Sequence, residues 1–266
     1  MRSKTVVLQL ILLSCITRTS GQVAAETQTV PQANPGRPTV STPATLTPLG
    51  YLQFETGILA AIESTEFDTR LSANEVVKLT VAPRLQLLLP IEPFVHSRLS
   101  AGKGNHPGEV FAGAQGVLVP GKGKRPTISL SYFRRLYASP APEVDIGTFR
   151  QSGLILLSDD LWGFHFDGNA IISEQIEANV HRIQYGQTLS ISHPLKKFTI
   201  SGEIWHFSQP FLNSNAVGNL WAAAYTLRNN LVVDIGFNRG LTKTSTQWEV
   251  FIGFTYLLPH RIWNEQ

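Results

Sequence analysis

The sequence predicts an all-β protein, a transmembrane antiparallel up-and-down β-barrel of about twelve strands. Three observations lead to this prediction: long segments alternate apolar and polar residues, short and long connections alternate between those segments, and charge is scarce. Charged residues make up 15% of the 266-residue chain, against roughly 25% in an average soluble domain. The hydrophobic fraction of 42% is ample for a folded core, so global disorder is excluded.

The alternation has a period of two residues, which is the period of a β-strand. It is clearest over 161–175, where aromatic and aliphatic residues occupy one face and His165 and Asp167 lie on the other. The predicted strands are 51–60, 74–81, 85–96, 109–118, 127–133, 147–158, 161–175, 183–192, 198–207, 218–227, 231–241 and 246–258. Many exceed the roughly 5–6 residues of soluble strands and approach the roughly 9–11 of a tilted transmembrane strand.

The connections give an independent indication of a membrane barrel. Short turns such as 82–84 and 228–230 follow every second predicted strand, and longer polar connections such as 97–107 and 176–182 follow the others. Bacterial outer-membrane barrels have short periplasmic turns and longer outer loops. An even number of strands also places both ends of the barrel in the periplasm. A soluble periplasmic barrel, with its apolar face inward, is the alternative that alternation alone leaves open.

The N-terminal residues 1–25 predict a signal peptide. A basic start precedes an apolar run over 5–16, which is too short for the roughly 20 residues of a transmembrane helix. We expect cleavage after Gly21 or Ala25, and lipidation at Cys15 is the alternative. The net charge of +3 comes from this segment and is too small for a nucleic-acid binder.

The rest of the chain divides into three parts. Residues 26–48 are rich in Pro and Thr, lack apolar periodicity and predict a flexible or extended lead segment. Residues 49–258 form the predicted outer-membrane barrel, and 259–266 form a C-terminal tail. Gly253, Tyr256 and Leu258 match the spacing of a barrel-insertion signal, so we expect the barrel-assembly machinery and outer-membrane lipids to be partners.

In a membrane barrel the outer face is apolar and the polar face lines the lumen. The predicted lumen-lining residues, which form the candidate solute path, are Glu55, Lys78, Glu92, Glu109, Arg150, His165, Asp167, Glu203, Asp234 and Glu249. Acids exceed bases in this set, so a channel is expected to prefer cations. The alternative is an internal network of ion pairs and hydrogen bonds that fills a narrow barrel.

Aromatic residues near strand ends predict contact with the two membrane interfaces. Nine aromatic residues lie near predicted strand ends, among them Trp205, and we assign three of the nine to the interface: Trp162, Trp248 and Tyr256.

Catalytic and metal-binding patterns are weak. His165 and Asp167 share a strand face, but no Gly-x-Ser-x-Gly motif occurs and no Ser lies at a spacing that completes a triad with them. His165, Asp167 and His206 carry groups that can bind metals, yet their spacing specifies no site. The sequence therefore predicts no enzyme, no metal and no cofactor.

Short segments resemble a known family. Gly50–Glu55 (GYLQFE), the turn Val81–Leu87 (VAPRLQL) and Phe254–Trp263 (FTYLLPHRIW) resemble the MetA-pathway of phenol degradation family. In the turn, Pro83 and Gln86 replace the Asp and Glu of the family pattern. The resemblance implies a transporter-like outer-membrane β-barrel.

Together these observations predict a channel or transporter for small hydrophobic or aromatic solutes in the outer membrane of a Gram-negative bacterium. A closed structural or binding barrel is the first alternative. An outer-membrane lipid hydrolase is the second.

Overall fold

The computed structural model describes residues 31–99, 102–142 and 149–263. The predicted signal peptide, with Gly21, Ala25 and Cys15, lies outside these residues, as do the first residues of the lead segment and the last of the tail. No helix in the described ranges is long and apolar enough to cross a membrane.

Twelve antiparallel strands form a closed barrel, and a thirteenth, short strand extends one hairpin, which confirms the predicted fold class. The strands are β1 (Leu52–Ile62), β2 (Thr69–Ala82), β3 (Leu85–Leu99), β4 (Gly102–His106), β5 (Val110–Val119), β6 (Thr127–Tyr137), β7 (Phe149–Leu161), β8 (Phe164–Glu177), β9 (Val180–Leu195), β10 (Phe198–Gln209), β11 (Ser214–Arg228), β12 (Leu231–Gly240) and β13 (Trp248–Leu257). The barrel strands pair in chain order, β1 pairs with β13 to close the wall, and β4 pairs with the end of β3.

The two faces of the wall are inverted relative to a soluble barrel. Outward-facing Ile172 and Ile252 are each 57% exposed, whereas inward-facing Gln53 and Ser129 are fully buried. An apolar outer face is unfavourable in water and is required in lipid, where the closed strand ladder also satisfies the backbone. The protein is therefore an outer-membrane barrel, and the soluble alternative is excluded.

The connections lie on two sides of the barrel. The short-turn side has the connections 83–84, 120–126, 162–163, 196–197 and 229–230, and the chain enters β1 and leaves β13 there. The other side, the loop side, has longer connections such as 63–68 and 241–247.

Two predicted loops contain strand residues. The range 97–107 includes the end of β3 and all of β4, which pairs with it. Over 176–182, β8 and β9 continue and are joined by Ala178 and Asn179 alone, both with positive φ. A cross-strand pair beside this turn, His181 Nδ1 to Glu174 Oε1 at 2.7 Å, is polar. Where strands extend beyond the lipid, both of their faces meet water, so the apolar alternation disappears although the strand continues.

Candidate functional site: the barrel lumen

Residues 33–48 cross the lumen as an extended segment without strand structure, which we call the inner strap. The strap starts at the short-turn side, where the Ala33 N–H donates to the Asn229 carbonyl oxygen at 2.8 Å. It then follows the inner wall around the barrel and returns to the short-turn side, where the chain enters β1. Its hydrogen-bonding partners, taken around the wall from β1 through β12 to β2, are Gln53, Glu55, Asp234, Glu203, Thr188, Asn169, Ser158, Ser129, Gln115, Gln86 and Thr80.

Glu203 on β10 holds the middle of the strap. Its two carboxylate oxygens accept hydrogen bonds from the backbone N–H groups of Val40 and Ser41, both at 2.7 Å, and from the Ser41 hydroxyl at 2.6 Å. Hydrogen bonds to a charged acceptor contribute about 1.5–3 kcal/mol each. Glu203 is also 5% exposed. Without these donors its charge would be buried and unpaired, so strap and carboxylate stabilise one another.

Arg37 ties the first half of the strap to β12. Its Nε and Nη2 donate to the two Asp234 oxygens at 3.2 and 3.1 Å, the forked geometry that suits a guanidinium and a carboxylate. The guanidinium lies in a notch made by Gly57 and Gly253, which face each other across the β1–β13 seam. A Cβ on Gly57 would come within 2.5 Å of the guanidinium carbon. Glycine at this position therefore makes room for the ion pair.

A second ion pair lies beside the strap on β1 and β2. Lys78 Nζ contacts Glu55 Oε1 at 2.6 Å, and the Gly36 backbone N–H donates to the same oxygen at 2.8 Å. Both side chains are less than a tenth exposed. The two predicted lumen residues are thus brought together as a buried pair that also holds the strap.

Amide side chains on the wall pair with the strap as a neighbouring strand would. Asn169 accepts from the Thr42 N–H at 2.7 Å and donates to the Thr42 carbonyl at 2.9 Å. Gln53 makes the same two bonds with Asn34, at 2.9 and 2.8 Å. An amide carries one acceptor and one donor group side by side, which is what an unpaired peptide unit needs. The strap's backbone is therefore satisfied although it joins no sheet.

The inner strap fills the short-turn half of the lumen. Ser41 and Ala44 are fully buried, and so is Ser129 on the facing wall. On the loop side of Val40, aromatic side chains enter the lumen: Trp205 and Phe207 pack against Val40 and are each 2% exposed. Val40 thus lies at the boundary between the short-turn half of the lumen, which the strap fills, and the loop-side half, which is more open.

A cavity of about 350 Å³ occupies the loop side of the lumen, above the strap. Its base and walls include Val40, Trp205 and Phe207, and two further aromatic rings, Phe111 and Phe149, stack with centroids 4.5 Å apart. Sequence reasoning placed Trp205 among the aromatics at the membrane interface, which is wrong: this side chain faces inward. Its Nε1–H donates to Asn238 Oδ1 at 2.8 Å, a polar partner that exists only inside the barrel.

Charged residues surround the apolar part of this cavity. Arg70 contacts Glu92 at 2.6 Å, and Arg135 contacts Glu109 at 3.0 Å. Glu249 accepts from Asn238 Nδ2 at 3.0 Å. The predicted lumen residues Glu92, Glu109 and Glu249 therefore lie at the cavity, each beside a donor.

His165 and Asp167 meet near the short-turn end of β8. His165 Nε2 lies 3.2 Å from Asp167, and its Nδ1 lies 2.8 Å from Asp160. Ser158, which sequence reasoning did not single out, donates to the other Asp167 oxygen. The carboxylate thus stands between the hydroxyl and the imidazole. A nucleophilic serine needs a histidine as its direct hydrogen-bonding partner. Here Ser158 bonds to Asp167 and not to His165, so these three residues do not form a catalytic triad.

Arg150 does not lie with the predicted lumen residues. It is exposed, and the β7–β8 register shifts between Phe149 and Gln151, so strict alternation fails there. Gln151 accepts from the hydroxyl of exposed Tyr132 and is thus on the outer face. The bulge explains why counting residues placed Arg150 inside.

The three interface aromatics lie at the two rims of the barrel. Trp162 is 90% exposed in the turn between β7 and β8, and Tyr256 lies one residue before the end of β13 on the same side. Trp248 begins β13 on the loop side, where the Arg239 guanidinium stacks 4.6 Å from its ring centroid. Their contact with lipid headgroups remains a prediction.

No protein-family model and no curated protein sequence matches the chain. Solved structures match its fold. An outer membrane channel from Pseudomonas putida F1 has a TM-score of 0.60 at 12% identity, covering 85% of this chain and 100% of the other. The NanC porin has a TM-score of 0.55 at 10% identity, covering 77% and 98%. LpxR from Salmonella typhimurium scores 0.43 at 7% identity, covering 77% and 99%, which is too low to carry an argument. The class defined by fold and lumen is an outer-membrane β-barrel.

Proposed function

We propose that the protein is an outer-membrane channel for small hydrophobic or aromatic solutes. A solute enters from the loop side, occupies the cavity above the inner strap and passes when the strap moves away from the wall. The proposal contains no catalytic step. It agrees with the family resemblance of the sequence and with the structural likeness to an outer membrane channel.

The observation that carries the proposal is an apolar cavity inside a polar lumen. Ligand pockets of about 300–1,000 Å³ with mostly apolar walls and a few polar groups are typical binding sites for small molecules. The cavity of about 350 Å³ lies at the small end of that range. The stacked Phe111 and Phe149 and the base formed by Trp205 offer ring faces to a flat solute.

The hydrogen bonds of the inner strap favour a second candidate, a closed barrel that binds a ligand without conducting it. Glu203 alone accepts three bonds from the strap. A lumen filled in this way conducts only if these bonds open on the timescale of transport.

Swelling of proteoliposomes distinguishes the candidates. Phenyl glucoside and methyl glucoside share a sugar, which slows the passage of both through pure lipid. Only phenyl glucoside carries an aromatic ring. We expect the purified protein to admit phenyl glucoside faster than methyl glucoside, although it is larger. Equal rates, or a faster methyl glucoside, would contradict selection for aromatic solutes. If neither glucoside enters faster than it enters protein-free liposomes, the result would favour the closed barrel.

A further inference from the structure

We propose that the outer wall carries a binding site for an anionic phospholipid of the periplasmic leaflet. One acyl chain lies in an apolar groove across β10, β11, β12, β13 and β1, and the phosphate lies at a cluster of cations on the short-turn side. This site is outside the lumen and is independent of the solute.

The groove is a recess in the lipid-facing surface with a volume of about 530 Å³. Ala223 is a small residue in its lining, and the cross-strand neighbours of Ala223, Ile200 and Ile235, are each at least half exposed. Ile252 and Phe254 on β13 continue the lining. The walls are almost wholly apolar and face the membrane interior, so an acyl chain is the occupant that the surroundings supply.

One end of the groove reaches the headgroup region. Phe198 and Tyr225 form this end, with ring centroids 4.7 Å apart. Lys197 directly precedes Phe198 in the turn between β9 and β10. The Thr226 N–H donates to the Lys197 carbonyl at 2.8 Å, which fixes that turn beside the end of β11, where Arg228 lies.

The charge at this position suits an anion. Lys196, Lys197 and Arg228 are all exposed. The five short turns contain no Asp or Glu; Asp159 and Asp160 lie near the short-turn end of β7, and Asp160 lies against His165. Clustered lysine and arginine at a membrane surface attract anionic lipid headgroups. A zwitterionic lipid offers the same acyl chains without net negative charge, so the cluster favours the anionic lipid.

A second basic turn on the same side provides an internal comparison. Lys122, Lys124 and Arg125 are exposed in the turn between β5 and β6. A separate apolar recess crosses β5 to β9, but its first residue on β6 is Leu130, five residues after Arg125, whereas Phe198 of the groove directly follows Lys197. If surface charge alone retained the lipid, the two clusters would act alike. If charge and groove act together, only the cluster of Lys196, Lys197 and Arg228 would retain it.

Native mass spectrometry of the purified full chain tests the site, with dioleoylphosphatidylglycerol and dioleoylphosphatidylcholine as probes. We expect the wild type to retain the anionic lipid. The triple variant Lys196→Gln, Lys197→Gln, Arg228→Gln should lose it by at least about tenfold. The matched variant Lys122→Gln, Lys124→Gln, Arg125→Gln should retain it. Equal loss in both variants, or equal retention of both lipids by the wild type, would overturn the proposal.

A groove-filling variant tests the acyl chain separately. Ala223→Leu adds a side chain to the recess on the lipid-facing surface, so it leaves the lumen unchanged. We expect a several-fold loss of bound phosphatidylglycerol, with heat-modifiable gel mobility showing that the barrel is folded. Unchanged retention by the folded variant would contradict occupation of the groove.

Discussion

Single carboxylates on the wall hold the inner strap. Glu203 and Asp234 are buried, and the donors that satisfy them come from the strap: two backbone N–H groups and a hydroxyl at Glu203, and a guanidinium at Asp234. A buried carboxylate that lost these donors would be destabilised by several kcal/mol, so each carboxylate opposes movement of the strap.

The change Glu203→Gln should loosen the strap. The amide keeps one oxygen acceptor but removes the charge and turns an NH₂ group toward donors. Loss of charge-assisted hydrogen bonds of about 1.5–3 kcal/mol each should raise the open probability in single-channel recordings by at least about tenfold. Glu177→Gln, at the exposed end of β8, is the control and should behave as the wild type. An unchanged open probability in Glu203→Gln would show that this carboxylate does not hold the strap.

The change Gly57→Ala tests the Arg37 notch. The added methyl group would lie 2.5 Å from the guanidinium carbon, so Arg37 must leave its forked contact with Asp234. We expect more frequent openings than in the wild type. Gly153→Ala is the matched control, because a Cβ there meets nothing within 4 Å. The same gating in both variants would contradict the role of the notch.

The sequence predicts the strands of the barrel but not the inner strap. The lipid around the barrel requires an apolar outer face, so every barrel strand carries a period of two residues that is visible in the sequence. The strap joins no sheet and has no such period, because side chains of the wall, such as Asn169 and Gln53, satisfy its backbone.

One signal for the strap was present in the sequence. The predicted lumen set contained far more acids than bases. Buried acids in excess need donors from outside the strands. Arg37 and the backbone N–H groups of Val40 and Ser41 are such donors. Residue counting alone also fails at Arg150, where a bulge changes the parity.

Deletion of residues 33–48 should open the short-turn half of the lumen. The barrel strands close on one another without the strap, so we expect a folded protein with heat-modifiable mobility. Its conductance in a planar bilayer should rise several-fold, because the strap no longer fills the lumen. A folded deletion variant with unchanged conductance would show that another segment limits the passage.

At the scale of the whole barrel, the lumen carries an excess of negative charge. The acidic residues that line the cavity are Glu75, Glu92, Glu109 and Glu249, and Arg70 is the basic residue in its lining. We expect a mild cation preference, measured as the reversal potential across a planar bilayer under a salt gradient. High ionic strength should weaken this preference through screening. An anion preference would contradict the expectation.

A disulfide between strap and wall tests the central claim that the strap closes a conducting barrel. The Ser41 and Thr188 hydroxyl oxygens are 2.7 Å apart, so Ser41→Cys with Thr188→Cys suits a cross-link. Cys15, the single native cysteine, is replaced by Ser in this variant. Bilayer conductance should be absent in the oxidised protein and appear on reduction. Equal conductance in both redox states would contradict closure by the strap.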